Sequence, residues 1–152
     1  MLQRTRDGLA NILLVEDNAG DVVLFQEAFD DAGVVCHIDV LPDGEAALAH
    51  VQRRVENGPE ELPDLIVMDL NLPKLNGCEV LQALKADLRL RCIPVLVLSS
   101  SQAPRDIERS YQSHASAYLC KPVDLGMFVE LARMIDSFWL RTVLRPNAAL
   151  PH

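Results

Sequence analysis

Residues 64–77, DLIVMDLNLPKLNG, decide the fold, because they join a short apolar run to an acid and a loop. The four consecutive apolar residues 65–68 are typical of a strand buried on both faces of a parallel sheet. Asp69 ends this strand, and Pro73 and Gly77 bracket the loop that follows. The pattern therefore predicts a carboxylate at the edge of a buried sheet.

The rest of the chain repeats this alternation of short apolar runs and longer amphipathic stretches. Apolar runs predict strands at residues 12–15, 36–41, 65–68, 93–98 and 117–120. Amphipathic spacing predicts helices at residues 20–32, 45–56, 78–88, 104–114 and 125–144. Gly33 is a plausible terminator of the first helix, and Asp124 is a plausible N-cap of the last. Five strand–helix units in succession predict an α/β fold with a parallel sheet and helices on both faces.

The length of 152 residues suits one domain with one core. We expect an N-terminal tail at residues 1–10, a domain at 11–145 with an extended last helix, and a C-terminal tail at 146–152. This length leaves no room for an attached output domain, so we expect the output to pass through a partner.

Charge and composition disfavour several functions. The 14 basic and 22 acidic residues give a net charge of −8, and aromatic residues make up only 5%, which argues against binding to nucleic acid. No apolar segment is long enough to cross a membrane, and the apolar run near the N-terminus ends at Glu16, too early for a secretory signal. The four cysteines form no C-x-x-C pair. We expect a cytoplasmic protein with reduced thiols.

Polar residues follow four of the five predicted strands. Glu16 and Asp17 follow the first, Asp69 the third, Ser99 the fourth and Lys121 the fifth. Open parallel sheets bind ligands at the carboxyl ends of their strands, so these side chains are expected to meet at one edge. A lone aspartate at a strand end is more often a helix cap or a solvated turn residue, and Ser99 or Lys121 alone indicates almost nothing. Their joint occurrence, in order, favours a functional site.

Three carboxylates at one edge need positive charge nearby. Two unit charges about 4 Å apart cost about 4 kcal/mol at an effective dielectric constant near 20. Lys121 supplies one positive charge and a divalent ion could supply two. A ligand set made only of oxygen suits Mg²⁺ and not zinc. The predicted chemistry is phosphoryl transfer to Asp69, with Ser99 donating a hydrogen bond to the phosphoryl group.

Four motifs make the chain resemble the receiver domains of two-component signalling: ILLVEDN at 12–18, DLIVMDLNLPKLNG at 64–77, IPVLVLSSS at 93–101 and AYLCKPV at 117–123. The resemblance covers about residues 11–140. It implies a flavodoxin-like doubly wound fold with a five-stranded parallel sheet in the order 2-1-3-4-5. It also implies a signalling protein and not an enzyme, with only weak self-phosphorylation from small donors and weak autodephosphorylation.

The resemblance also assigns roles in the predicted site. Asp69 would be the phosphoacceptor and Lys121 the phosphate-contacting lysine. Asp17 would bind Mg²⁺ directly and Glu16 largely through water. The carbonyl of Asn71 would be a further Mg²⁺ ligand, as would Asp69 itself.

A conformational switch is implied as well. Ser99 would be the hydroxyl that responds to the phosphate, at a position where the family more often has Thr. Tyr118 would be the aromatic residue that moves between inward and outward rotamers; its alternative role is an aromatic cover on an edge strand. Pro122 is expected to follow a cis peptide bond.

Within the family, the chain is most similar to the phytochrome-associated single-domain regulators. The shared features are EDN-x-x-D, the acidic loop at 58–63, DLNLP, KPVDL and the FWL near the end. This implies a histidine kinase as partner, of the bacteriophytochrome type, or a place in a phosphorelay that passes phosphate to a histidine phosphotransfer protein.

Three other functions are less favoured. A phosphatase of the haloacid-dehalogenase type needs a general acid two residues after its nucleophile, where this chain has Asn71. An FMN carrier would need a hydroxyl- and glycine-rich loop after the first strand, where Glu16 and Asp17 would repel phosphate. A receiver that no longer takes phosphate is disfavoured because every acceptor-site residue is present.

The extended last helix predicts a homodimer. Five residues fall on one face at α-helical spacing and are expected to pack on the sheet: Phe128, Leu131, Ile135, Phe138 and Thr142. Met134, Trp139 and Val143 cannot all share that face, and Leu140 and Leu144 lie close by. Such a second apolar surface usually marks an interface, which favours a two-fold dimer through this helix and tail. In the alternative, the tail folds back over its own domain and buries Trp139.

Overall fold

The structure is a computed structural model that describes residues 8–142. Its elements follow one another in strict strand–helix alternation. They are β1 (Asn11–Val15), α1 (Ala19–Asp31), β2 (His37–Leu41), α2 (Gly44–Val55), a 3₁₀ turn (Pro59–Glu61), β3 (Leu65–Met68), α3 (Gly77–Ala86), β4 (Val95–Ser99), α4 (Pro104–Gln112), β5 (Ala117–Cys120), α5 (Leu125–Met134) and a π-helix (Ile135–Thr142).

The five strands form one parallel sheet in the order β2-β1-β3-β4-β5, which confirms the predicted fold class and strand order. Every residue of β1, β3 and β4 is buried, as their apolar runs predict, and the polar Asn11 and Ser99 at the ends of β1 and β4 are buried with them. Successive side chains point to opposite faces. Leu13 and Val15 accordingly join a core with α2 and α3, while Ile12 and Leu14 join a second core with α1 and α5.

Side-chain caps fix where the helices begin. Asn18, Asp43 and Asp124 each accept a hydrogen bond from a backbone N–H in the first turn of the helix that follows. Asn76 and Glu79 form a reciprocal capping box at the start of α3. These caps set α1, α3 and α5 immediately after the sheet edge that carries the predicted site.

The C-terminal segment departs from the predicted α-helix. Residues Ile135–Thr142 are π-helical, with hydrogen bonds to the fifth residue along the chain. This spacing places Leu140, which is 6% exposed, in the same core as Ile135. Phe138 is instead 49% exposed, and Thr142 is also exposed. The prediction that both residues pack on the sheet is wrong, because it assumed α-helical spacing.

The tails, the burial of Trp139 and a membrane span were the remaining sequence predictions about the fold. Residues 1–7 and 143–152, including Val143 and Leu144 of the predicted helix, lie outside the described residues. Trp139 is half-buried against the core shared with α1 and α5, and its ring meets Phe138 edge-on at 5.5 Å between centroids. Between residues 8 and 142 no helix is long and apolar enough to cross a membrane.

Candidate functional site

A cleft of about 540 Å³ lies at the carboxyl end of the sheet. The hydrogen-bond pattern of the parallel sheet continues one residue beyond the strands and places Asp69 and Lys121 at this edge. The amide of Asp69 donates to the carbonyl of Val15 at 3.1 Å, and the amide of Lys121 donates to the carbonyl of Ser99 at 2.8 Å. The residues lining the cleft are Glu16, Asp17, Asn18, Asp21, Asp69, Ser100, Lys121, Pro122 and Val123.

The ammonium of Lys121 is the centre of the site. Its Nζ lies 2.6 Å from Glu16, 2.9 Å from Asp21 and 3.0 Å from Asp69. Burial alone would lower the pKa of Lys121, but the hydrogen bonds to these three carboxylates outweigh burial and raise the pKa above its usual value. Lys121 is therefore charged at any ordinary pH, and it ties α1, β1 and β3 to the end of the edge strand β5.

Glu16 is the most deeply buried of these acids, at 5% side-chain exposure. Burial raises the pKa of Glu16, although hydrogen bonds from Lys121 and from the backbone N–H of Asn18 oppose that rise. The neighbouring Asp69 carboxylate also raises this pKa. Further positive charge in the cleft would therefore stabilise the ionised form of Glu16.

Glu16, Asp17 and Asp69 can bring three carboxylate oxygens within 4.8 Å of one another, as metal ligands require. With Asp21, the cleft holds four carboxylates against the single ammonium of Lys121, which leaves three negative charges uncompensated. Carboxylate oxygens are the ligands that Mg²⁺ and Mn²⁺ prefer. The residues present therefore fit a divalent cation.

Asn71 lies beside Asp69, and its backbone N–H donates to the Asp69 carboxylate at 3.2 Å. The loop that carries both residues is held tightly at its far end by Gly77. A Cβ at Gly77 would lie 3.0 Å from the carbonyl of Asp69 and 2.9 Å from the Cα of Leu70, so only glycine lets α3 begin this close to the loop.

The two predicted switch residues lie just outside the cleft. Ser99 is fully buried, and its hydroxyl accepts a hydrogen bond from the amide of Ser101 at 3.1 Å. The hydroxyl of Tyr118 donates to the carbonyl of Ser101 at 2.7 Å. Ser101 thus connects the buried hydroxyl to the aromatic ring, whereas the neighbouring Ser100 is the serine that lines the cleft.

The peptide bond before Pro122 is trans, since no bond within residues 8–142 is cis. The cis form expected for it is wrong. The trans form of a bond to proline is favoured by about 0.5–1 kcal/mol, and Lys121 reaches the three acids without the rarer isomer.

Sequence reasoning missed several residues that line the cleft, among them the acid Asp21 and the hydroxyl-bearing Ser100. Asp21 comes four residues after Asp17, so the EDN-x-x-D pattern places a further acid in the first turn of the helix that begins at this edge. That spacing was a usable signal. Ser100 gave none, because three serines follow one another and only the backbone decides which one faces the cleft.

Fold and cleft together define a doubly wound α/β domain with an acidic, lysine-bridged site at its switch point. The sequence model of the response regulator receiver domain family matches residues 12–133, and this chain belongs to that family. Members of the family bind Mg²⁺ or Mn²⁺ at an acidic site of this kind.

The sequences of related proteins align with nearly the whole chain. The response regulator Rcp1 of Synechocystis is 41% identical over 137 residues, which are 90% of this chain and 93% of Rcp1. The probable methanogenesis regulatory protein FilR2 of Methanothrix harundinacea is 41% identical over 138 residues, 91% of this chain and 88% of FilR2.

Solved structures agree with these sequence matches. The phosphorylated cyanobacterial phytochrome response regulator RcpA superposes with a TM-score of 0.82 at 40% identity, covering 91% of this chain and 99% of RcpA. The Mn²⁺-bound form of Rcp1 superposes with a TM-score of 0.78 at 40% identity, covering 90% and 99%. The chain is thus related to the phytochrome-associated response regulators.

Proposed function

We propose that this protein is a signalling switch that accepts a phosphoryl group on Asp69 from a histidine kinase in a Mg²⁺-dependent reaction. The observation that carries the proposal is the position of Asp69. Its carboxylate lies in the cleft, 3.0 Å from the Lys121 ammonium and within reach of Glu16 and Asp17. A nucleophilic carboxylate beside a fixed cation is what transfer of an anionic group requires.

The transfer moves a phosphoryl group from nitrogen to oxygen. A carboxylate oxygen of Asp69 forms a bond to phosphorus, and the bond between phosphorus and the imidazole nitrogen of a phosphohistidine breaks. The imidazole leaves with the electron pair and takes a proton from water. Lys121 neutralises a phosphoryl oxygen, and Ser99 donates a hydrogen bond after its hydroxyl turns towards the cleft. Mg²⁺, held by Asp17, Asp69, Asn71 and, through water, Glu16, would supply the remaining positive charge.

The names of two solved relatives support a phytochrome-type kinase as the phosphate donor, because RcpA is a cyanobacterial phytochrome response regulator and RtBRR a bacteriophytochrome response regulator. A place in a phosphorelay, with a histidine phosphotransfer protein as the next acceptor, uses the same chemistry in reverse. A phosphatase of the haloacid-dehalogenase type is disfavoured, since Asn71 stands where that reaction needs an acid.

The acceptor assignment is tested by labelling. The wild-type protein with Mg²⁺ should take phosphate from acetyl phosphate or from a phosphorylated histidine kinase at an acid-labile, hydroxylamine-sensitive site. Asp69→Asn should take none, and excess chelator should stop the wild-type reaction. Full labelling of Asp69→Asn would refute the assignment, and an unchanged rate in chelator would refute the role of the metal.

The signal is proposed to leave through Ser99 and Tyr118. A phosphoryl group that draws the Ser99 hydroxyl inward breaks its contact with the Ser101 amide, and Ser101 also holds the Tyr118 hydroxyl. Beryllofluoride, a phosphate mimic, should therefore change NMR shifts on the face formed by α4, β5 and α5. Shifts confined to the cleft would contradict this route.

We also propose a homodimer through the C-terminal helix. Phe138 in the π-helix and Met127 in α5 are 49% and 47% exposed, and large apolar side chains left exposed can form part of an interface. Sedimentation should show a dimer at tens of micromolar, and Phe138→Ser should shift it to monomer. A wild-type protein that stays monomeric with and without beryllofluoride would rule the dimer out.

A further inference from the structure

A fourth carboxylate in the cleft has no task in the proposed transfer. Asp21 lies in the first turn of α1 and accepts a hydrogen bond from Lys121 at 2.9 Å. It is not among the three acids that can share a metal ion. Its sequence distance from Lys121 is 100 residues, so the fold and not local sequence brings the two together.

The backbone holds Asp21 in place independently of Lys121. The amide of Asp21 donates to the N-capping side chain of Asn18 at 3.0 Å. The positive end of the α1 dipole also favours a carboxylate at this position. Asp21 is therefore a fixed acceptor that draws the flexible lysine side chain towards α1.

All the hydrogen-bond donors of the Lys121 ammonium are already used in this arrangement. An ammonium group has three N–H donors, and the contacts with Glu16, Asp21 and Asp69 use all three. A phosphoryl oxygen on Asp69 can be bound only if Lys121 gives up one of these contacts.

The contact that costs least to lose is the one with Asp21. The Glu16 side chain is 5% exposed, so losing its contact with Lys121 would leave a buried charge without a partner. Asp69 itself carries the arriving group. The Asp21 side chain is 24% exposed, twice as much as Asp69 at 11%, and water can solvate it after release. Once released, Asp21 also lies near a group that carries more negative charge than it does.

We propose that Asp21 is a positioning residue that holds Lys121 in the unphosphorylated protein and competes with the phosphoryl group for it. The proposal rests on the proposed function of Asp69 as phosphoacceptor. Asp21 opposes phosphorylation in two ways. It occupies one N–H of Lys121, and its negative charge repels anionic phosphate donors from the cleft. Neutralising Asp21 should therefore favour every state in which an anion is bound at Asp69.

The test compares variants of the full chain with saturating Mg²⁺, with beryllofluoride as the equilibrium probe and acetyl phosphate as the donor. Asp21→Asn should bind beryllofluoride about three- to tenfold more tightly, the range expected for removing one partly screened charge next to an anion. The acetyl phosphate concentration that gives half the maximal rate should fall by a similar factor. Asp21→Ala should behave like Asp21→Asn, while Asp21→Glu should restore wild-type binding.

A matched control separates this local effect from net charge. Asp31→Asn makes the same change in charge on the same helix, at an exposed position ten residues further along, about 15 Å along the helix axis. It should leave beryllofluoride affinity unchanged. If Asp31→Asn tightens binding as much as Asp21→Asn, the effect is general electrostatics and the proposal is wrong.

The outcomes distinguish this proposal from the proposed function. If the wild-type protein is labelled on Asp69 but both neutral Asp21 variants bind beryllofluoride no more tightly than wild type, Asp21 has no competing role. If the wild-type protein neither binds beryllofluoride nor is labelled on Asp69, the proposed function itself fails. Thermal unfolding of each variant shows that the comparison is made between folded proteins.

Discussion

At the scale of single residues, the site depends on one cation shared among several acids. The sequence predicted Asp69, Glu16 and Lys121 at one sheet edge, because each directly follows an apolar run. It did not predict that Lys121 also reaches Asp21, because Asp21 lies within α1 and not at the end of a strand, so the contact depends on how that helix packs and on side-chain rotamers.

Removing the shared cation should destabilise the protein even before any reaction. In Lys121→Met, four carboxylates remain together and Glu16 loses its partner while buried, so we expect a loss of about 3 kcal/mol in the free energy of unfolding at pH 7 without metal. Lys74→Met is the control, because Lys74 is 60% exposed and lies 3.7 Å from Asp43. Such a surface pair should contribute less than about 1 kcal/mol. Equal losses in urea unfolding would contradict the shared-cation account.

The thiol of Cys36 provides a pH-dependent test at the same scale. Burial, together with the nearby carboxylates of Asp136 and Asp30, raises the pKa of Cys36 from 9.0 to about 11. Only the thiolate reacts with iodoacetamide, so at pH 8 Cys36 should be alkylated far more slowly than the exposed Cys92, and its rate should keep rising up to about pH 11. Peptide mass spectrometry measures both rates in one sample. Equal rates at pH 8 would contradict this placement of Cys36.

The same shift has a consequence for stability. The unfolded chain loses the Cys36 proton at a lower pH than the folded one, so the folded state binds more protons between about pH 9 and about pH 11. This thiol therefore favours folding below pH 9, and its contribution is lost as the pH rises through that window. Cys36→Ser should show a weaker decline in stability over the same range.

At the scale of elements, caps and apolar runs were predictable and the C-terminal π-helix was not. Asp124 was expected to cap α5 and does so. Residues 135–142 fit an α-helical face from sequence, but a π-helix shifts each contact to the fifth residue and exchanges the roles of Phe138 and Leu140. π-helices are too rare to be expected from a pattern, so this rotation could not be predicted.

The π-helix makes a prediction that an α-helix reverses. Leu140→Ala should lower the free energy of unfolding by about 2–4 kcal/mol, because Leu140 is buried in the same core as Ile135. Phe138→Ala should cost about 1 kcal/mol or less, since half of Phe138 is exposed and it keeps mainly its edge contact with Trp139. Urea unfolding below micromolar concentration measures both without self-association. A larger loss for Phe138→Ala would indicate an α-helix.

At the scale of the whole molecule, the fold brings uncompensated charge to one place. The alternation of strands and helices predicted a parallel sheet with helices on both faces, and the family resemblance implied its strand order, so the sheet, its two cores and the edge that carries the site could be predicted. The chain carries a net charge of −8, and three of these negative charges remain in the cleft after pairing with Lys121. Folding therefore concentrates like charges that the unfolded chain keeps apart.

A divalent cation that binds only the folded cleft should relieve this cost. Mg²⁺ at ten times its dissociation constant should add about 1.4 kcal/mol to the free energy of unfolding, as linkage requires for one site. Asp17→Asn should lose most of this gain, because Asp17 is one of the three acids that can share the ion and, being exposed, matters little to the core. Sodium chloride at matched ionic strength is the control, since screening alone acts on all surface charges. Thermal unfolding in both salts measures the difference. If sodium chloride stabilises the protein as much as Mg²⁺ does, the effect is screening, and the three acids hold no specific ion.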